Sequence, residues 1–160
     1  MGLLMDLVAG DTREVLLALS VDDWSGLDDR SRFPAHLALG GGLDPIWLDL
    51  FAEAARVVTP GRGPGSFLEA CYPLDDPRLP GPDAGERTVE RVSRNWVEAV
   101  ARVRDDQLDR LAGRWIELID REEVEIDPED KPMLRALVGD LIGFARAAAS
   151  GTDVLFAWTL

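Results

Sequence analysis

From Lys131 to Ala148 the apolar residues recur at spacings of three and four: Leu134, Leu137, Val138, Leu141, Phe144, Ala145 and Ala148. That spacing stacks them on one face of a helix. Pro132 has no amide hydrogen to give a helix interior, so the helix starts at Lys131 with Asp130 as its cap. Ser150 and Gly151 close it. Gly139 and Gly143 stand four apart in the middle, which predicts close approach of a neighbouring helix or sheet. Val154, Leu155, Phe156, Ala157, Trp158 and Leu160 then form a nearly unbroken apolar run. Such a run predicts a strand covered on both faces. Its ladder groups need partners, and the strand-like runs at Leu3–Val8 and Thr88–Val92 are the candidates.

The remaining elements follow in chain order. Asp6 interrupts the first strand, an awkward place for a carboxylate if both faces are buried. Asp11 caps a short helix, with Glu14 three residues on and Val15, Leu16, Leu17 and Leu19 as its apolar content. Residues 21–43 read as turns, with a short helical turn over Phe33–Leu39 opened by Pro34. Asp44 and Pro45 then start a helix carrying Ile46, Trp47, Leu50, Phe51, Ala54, Ala55, Val57 and Val58. Residues 59–86 are rich in Pro and Gly and form a connection, with one short helix over Ser66–Cys71. Ser93 caps a helix bearing Trp96, Val97, Val100 and Val103. Asp105 or Asp106 caps the next, striped by Leu108, Leu111, Ala112, Trp115, Leu118 and Ile119. The sum is an α+β fold, with α/β as the alternative. About three strands are packed by four to six helices in a single domain over residues 1–160.

Composition narrows the partners. The chain has 30 acidic and 17 basic residues and a net charge of −13, spread along its length. That balance argues against nucleic acid and anionic membranes and leaves room for a basic protein partner. The sequence shows neither a signal peptide nor a run long enough to cross a membrane. A lone cysteine, Cys71, fits a reducing cytoplasm and rules out an internal disulfide framework. Arg in preference to Lys, with abundant Ala, Gly and Pro, points to a GC-rich bacterial genome.

Candidate chemistry is sparse. One histidine, His36, and one cysteine are too few for zinc. They would act as base and nucleophile only if the fold joined them; the simpler reading is an ordinary histidine and a buried thiol. Asp22, Asp23, Asp28 and Asp29 lack the loop order of an EF-hand and read as a solvated turn. Gly40–Gly41–Gly42 lacks the Lys and Ser or Thr of a phosphate loop, and Gly61, Gly63 and Gly65 alternate with prolines. No cofactor is expected. Trp47, Trp96, Trp115 and Trp158 lie on apolar faces and read as core, whereas Trp24 sits in the acidic loop. Trp24 with Asp22, Asp23, Asp28 and Asp29 is therefore the candidate partner-binding patch.

The order of features over residues 86–160 resembles the YfbM-like family of small bacterial proteins of unknown function. A short strand leads to a helix with valines at Val97 and Val100. A second short helix and an acidic connection, Glu122, Glu123, Glu125 and Asp127, follow. A long helix then ends in Ala147–Ala148–Ala149–Ser150–Gly151 before the closing strand, and the Met1–Gly2 start is also similar. Gly40–Trp47 and the proline-rich middle depart from that pattern. The resemblance implies a fold and no catalytic residues.

Two functions compete. One is a non-enzymatic interaction or accessory protein, of which an immunity-type inhibitor of a basic toxin is one form. The other is a small hydrolase or transferase using Asp and Glu for acid–base work in a cleft. Convergence of carboxylates in a pocket would favour the second.

Overall fold

A computed structural model describes residues 4–20, 25–40, 43, 46–58, 67–68, 87–122, 126–149 and 152–159. Four strands form one antiparallel sheet: β1 (Leu4–Gly10), β2 (Ala35–Gly40), β3 (Arg87–Arg91) and β4 (Asp153–Thr159), in the order β2-β1-β4-β3. Five helices accompany it: α1 (Thr12–Ser20), α2 (Ile46–Val58), α3 (Arg94–Ala101), α4 (Leu108–Arg121) and α5 (Lys131–Ala148). Two 3₁₀ turns, Gly26–Asp28 and Asp105–Gln107, complete the described elements.

The apolar run at β4 occupies the interior of the sheet, between β1 and β3. Its residues alternate between two cores, as a strand covered on both faces must. Val154 and Phe156 join the larger core, built with Met5, Leu7 and Ala9 of β1 and the buried faces of α2 to α5. Leu155 and Ala157 join the smaller one, under α1 and the Gly26–Asp28 turn, with Val8, Val15, Leu16, Leu27 and Phe33. The sheet is thus a middle layer with four helices on one face and one on the other. Gly10 stands where a Cβ would come within 2.8 Å of the Phe33 ring, so the close packing of the smaller core requires its missing side chain.

Aromatic side chains centre the larger core. Trp96 and Trp115 are fully buried. Phe51 meets Trp115 edge-on at 5.0 Å, and Phe67 meets Trp96 at 4.8 Å and Phe156 at 5.4 Å. Both indole N–H groups are satisfied, Trp96 donating to the Leu48 carbonyl and Trp115 to the Trp47 carbonyl. These bonds tie α3 and α4 to the start of α2.

Several elements differ from the sequence reading, each for a physical reason. Phe33–Leu39 is not a helical turn: Ala35, Leu37 and Leu39 alternate onto the larger core as part of β2, and Pro34 precedes the strand instead of opening a helix. β2 raises the sheet from three strands to four. Of the expected short helix at Ser66–Cys71, the described residues are not helical: Phe67 lies at a bend and Leu68 is bridged to Val92. Asp11 caps α1 through its side chain, as read, accepting from the amides of Arg13 and Glu14. Ser93 and Asp130 make no side-chain cap bond. Asp105 and Asp106 lie inside the 3₁₀ turn, where the Gln107 side chain accepts from the Arg104 amide. Ile46 and Val57, expected on the buried face of α2, are nearly half exposed. Gly139 and Gly143 mark no close approach: a Cβ at either would meet nothing within 4 Å.

Candidate functional site

The two faces of β1 and β2 place the chain's only histidine. His36 stands opposite Val8, on the face away from α2 to α5. Asp6 is the next residue of β1 on that face, a diagonal neighbour within reach of a long side chain. His36 Nε2 lies 2.8 Å from Asp6 Oδ1. From the other side, the 3₁₀ turn brings Asp28 Oδ1 to 2.8 Å from His36 Nδ1. The imidazole is thus held between two carboxylates, one buried and one exposed. The side chain of Asp6 is 11% accessible and that of Asp28 66%.

This arrangement explains how a carboxylate survives inside a central strand. Among the described residues Asp6 is the one polar residue classed as buried, and an unpaired charge there would be costly. An imidazolium bonds it directly. The Asp6 hydrogen bond is the largest influence raising the His36 pKa; burial opposes it, and Asp28 adds to it. The bond from His36 in turn lowers the Asp28 pKa. Neighbouring groups fix the turn that carries Asp28. Asp29 Oδ1 accepts from both the amide and hydroxyl of Ser31, which lowers the Asp29 pKa. Arg30 donates to the Leu27 carbonyl, and Arg32 lies over the Phe33 ring and pairs with Glu14.

A groove opens beside this cluster. Arg30, Pro34, Ala35, His36 and Leu37 form one wall, and Gly139, Asp140, Gly143, Phe144 and Ala147 of α5 form the other. Its volume is about 290 Å³. The absent side chains of the two glycines make that space. Among the described residues β2 pairs on one side only, with β1, so its other edge faces the groove region with ladder groups to offer. Met5 pairs with Gly40 and Asp6 with Ala38, which leaves Leu39 as an extra residue that bends the edge.

Of the sequence-predicted patch, the structure places Asp28 and Asp29 together on the exposed turn. Both carboxylates are engaged locally, one with His36 and one with Ser31. Trp24, Asp22 and Asp23 lie outside the described residues, as do Cys71, Gly41, Gly42, Gly61, Gly63 and Gly65. Gly40 ends β2. His36 is not the ordinary histidine of the sequence reading; the clue was Asp6, an isolated charge between apolar neighbours. Among the described residues, no group of three or more His, Cys, Asp or Glu is placed to hold a metal ion. No described helix is long and apolar enough to cross a membrane.

No family model matches the chain, and no curated protein matches it. Among solved structures, the chain is similar to the crystal structure of YfbM from Escherichia coli, a protein of unknown function. The two share 13% identity over 98% of this chain and 99% of the other, with a TM-score of 0.42. The weak likeness read from residues 86–160 is therefore accompanied by a weak structural match to a YfbM-like protein over nearly the whole chain.

Proposed function

We propose that this protein acts by binding a basic protein partner, as a single domain over residues 1–160, at the groove between β2 and α5. The observation that carries the reading is the pairing of an open strand edge with a helix whose facing positions are glycines. An extended segment of a partner has room there to add its backbone to β2, with side chains lying against Gly139 and Gly143. Asp140 lines the groove, and a net charge of −13 favours encounter with a basic partner. Trp24, Asp22 and Asp23 precede the Asp28 turn in sequence and stay part of the proposed partner-binding patch with Asp28 and Asp29.

The non-catalytic reading gains from His36. Both ring nitrogens are bonded to carboxylates, so the side chain best suited to accept a proton near neutral pH is committed to the fold. The test is capture of partners from the source cell with wild-type protein and with Gly139→Leu and Gly143→Leu, at low and high salt. The expected result is a captured basic protein that is lost at high salt and lost with either variant, while circular dichroism stays unchanged. Equal capture by wild type and both variants removes the groove from the function.

A further inference from the structure

The position of His36 between two carboxylates sets a chemical condition. Nε2 lies 2.8 Å from Asp6 Oδ1, and Nδ1 lies 2.8 Å from Asp28 Oδ1. An ionised carboxylate only accepts, so both contacts are hydrogen bonds only while both ring nitrogens carry hydrogen, which is the imidazolium. A neutral imidazole has one N–H and one bare lone pair. When the proton leaves, one of the two contacts changes from a charge-assisted bond into two lone pairs facing each other.

Burial decides which contact is lost. The side chain of Asp6 is 11% accessible, so water replaces little of what the ring gives it. That of Asp28 is 66% accessible, and water readily takes the place of the ring. The hydrogen therefore stays on Nε2, and Nδ1 becomes bare beside Asp28. Asp28 also has a second cation within reach, for Arg30 Nη2 is 3.8 Å from the same Oδ1. Leu27, fully buried in the smaller core, anchors the turn, so the carboxylate can move while the turn stays docked.

We infer that Asp28 is a two-position switch worked by the His36 proton: it is bonded to His36 while the ring is charged and turns to Arg30 and water when the ring is neutral. The neighbouring charged groups leave this choice in place. Asp29 is occupied by Ser31, Arg32 pairs with Glu14 of α1, and Asp140 of α5 stands on the far wall of the groove. The Asp6 hydrogen bond does most to raise the His36 pKa, burial opposes it and Asp28 adds to it, so the exchange falls on the alkaline side of about 6.5. His36 and Arg30 both line the groove between β2 and α5. Given the binding role proposed above for that groove, proton loss removes one positive charge beside it and pairs another with Asp28. A basic partner is then held more tightly as pH rises through the His36 midpoint.

The test is an NMR titration of the free, labelled protein from pH 6 to pH 9, whose result does not depend on whether the groove takes a partner. The His36 ring nitrogens report the midpoint and the tautomer, and nuclear Overhauser contacts from the Asp28 Hβ protons report where its carboxylate lies. Below the midpoint those contacts are expected to reach the His36 ring. Above it they should be lost and replaced by contacts to the Arg30 side chain, with hydrogen on Nε2 alone. Asp28→Asn separates the switch from the titration itself. A side-chain amide both donates and accepts, so it can bond Nδ1 in either state of the ring. In that variant the His36 midpoint should fall, because a carboxylate that raises it is gone, while the contacts to the ring persist at both pH values. Its thermal melt checks that the fold is kept. Undiminished contacts between Asp28 and the ring above the wild-type midpoint overturn the inference. So does a wild-type midpoint outside this range, hydrogen on Nδ1 of the neutral ring, or an equal loss of contacts in folded Asp28→Asn protein.

Discussion

Replacing His36 by Ala tests whether the Asp6–His36–Asp28 cluster holds the fold together or merely decorates it. The substitution leaves the Asp6 carboxylate in a central strand without the imidazole 2.8 Å away. A hydrogen bond to a charged group contributes roughly 1.5–3 kcal/mol, and an uncompensated buried charge adds to the loss. Asp6 keeps a little contact with water, and the space vacated by the ring admits more. The expected cost is therefore about 2–4 kcal/mol. Asp28→Ala removes the exposed partner, and its cost should be much the smaller of the two because water screens that pair. Replacing both inner partners, as Asp6→Leu with His36→Leu, removes the charge along with its bond and should recover most of the loss. Titration adds a second signature. The folded-state His36 pKa is raised above its unfolded value of about 6.5. Its contribution is thus fully present below that pH and is lost as pH rises through the folded pKa. Urea melts at pH 6 and pH 9 should show the gap between wild type and His36→Ala narrowing at the higher pH. A gap below about 1 kcal/mol at pH 6, or one that is the same at both pH values, would refute this account.

Four other substitutions probe separate parts of the structure. Gly139→Ala and Gly143→Ala should each stabilise the protein by about 1 kcal/mol, since a methyl group meets nothing there and helix propensity rises; a lower denaturation midpoint for both would mean that a neighbour does occupy the space. Trp115→Ala should cost about 3–5 kcal/mol, because it removes a fully buried ring and its bond to the Trp47 carbonyl; a loss under about 1 kcal/mol in a denaturant melt contradicts its place in the core. Gly10→Ala should destabilise by about 1–3 kcal/mol, because its Cβ would meet the buried Phe33 ring, and an unchanged melting temperature would show that the smaller core yields easily.

Elements with strong local patterns were legible in the sequence. The unbroken run from Val154 to Trp158 called for cover on both faces, and β4 has it. The start of α5 at Lys131 followed from Pro132. β2 was missed because Pro34 fits both the first turn of a helix and the entry to a strand, and alternation at Ala35, Leu37 and Leu39 was the better guide. The glycines of α5 illustrate a different limit. A helix glycine looks the same in sequence whether a neighbour presses on it or nothing does. The cluster around His36 was hidden for a third reason. Asp6, Asp28 and His36 come from two strands and a turn, and strand register together with the docking of that turn brings them together. No spacing rule contains that register.

The position of β4 also bears on how quickly the chain can fold. β1 and β4 form the central pair of the sheet, with Leu4 against Thr159, although they come from opposite ends of the described chain. Helices can form early from local contacts, and α3, α4 and α5 follow one another closely. The sheet cannot complete its middle until the longest loop in the molecule has closed. Loop closure of that kind lowers the rate more than it lowers the stability. Until it happens, β1 has one unpaired edge and both cores lack their shared wall. Folding should accordingly be slow for a chain so rich in helix, with the helical signal recovering before tryptophan burial around Phe156 is complete.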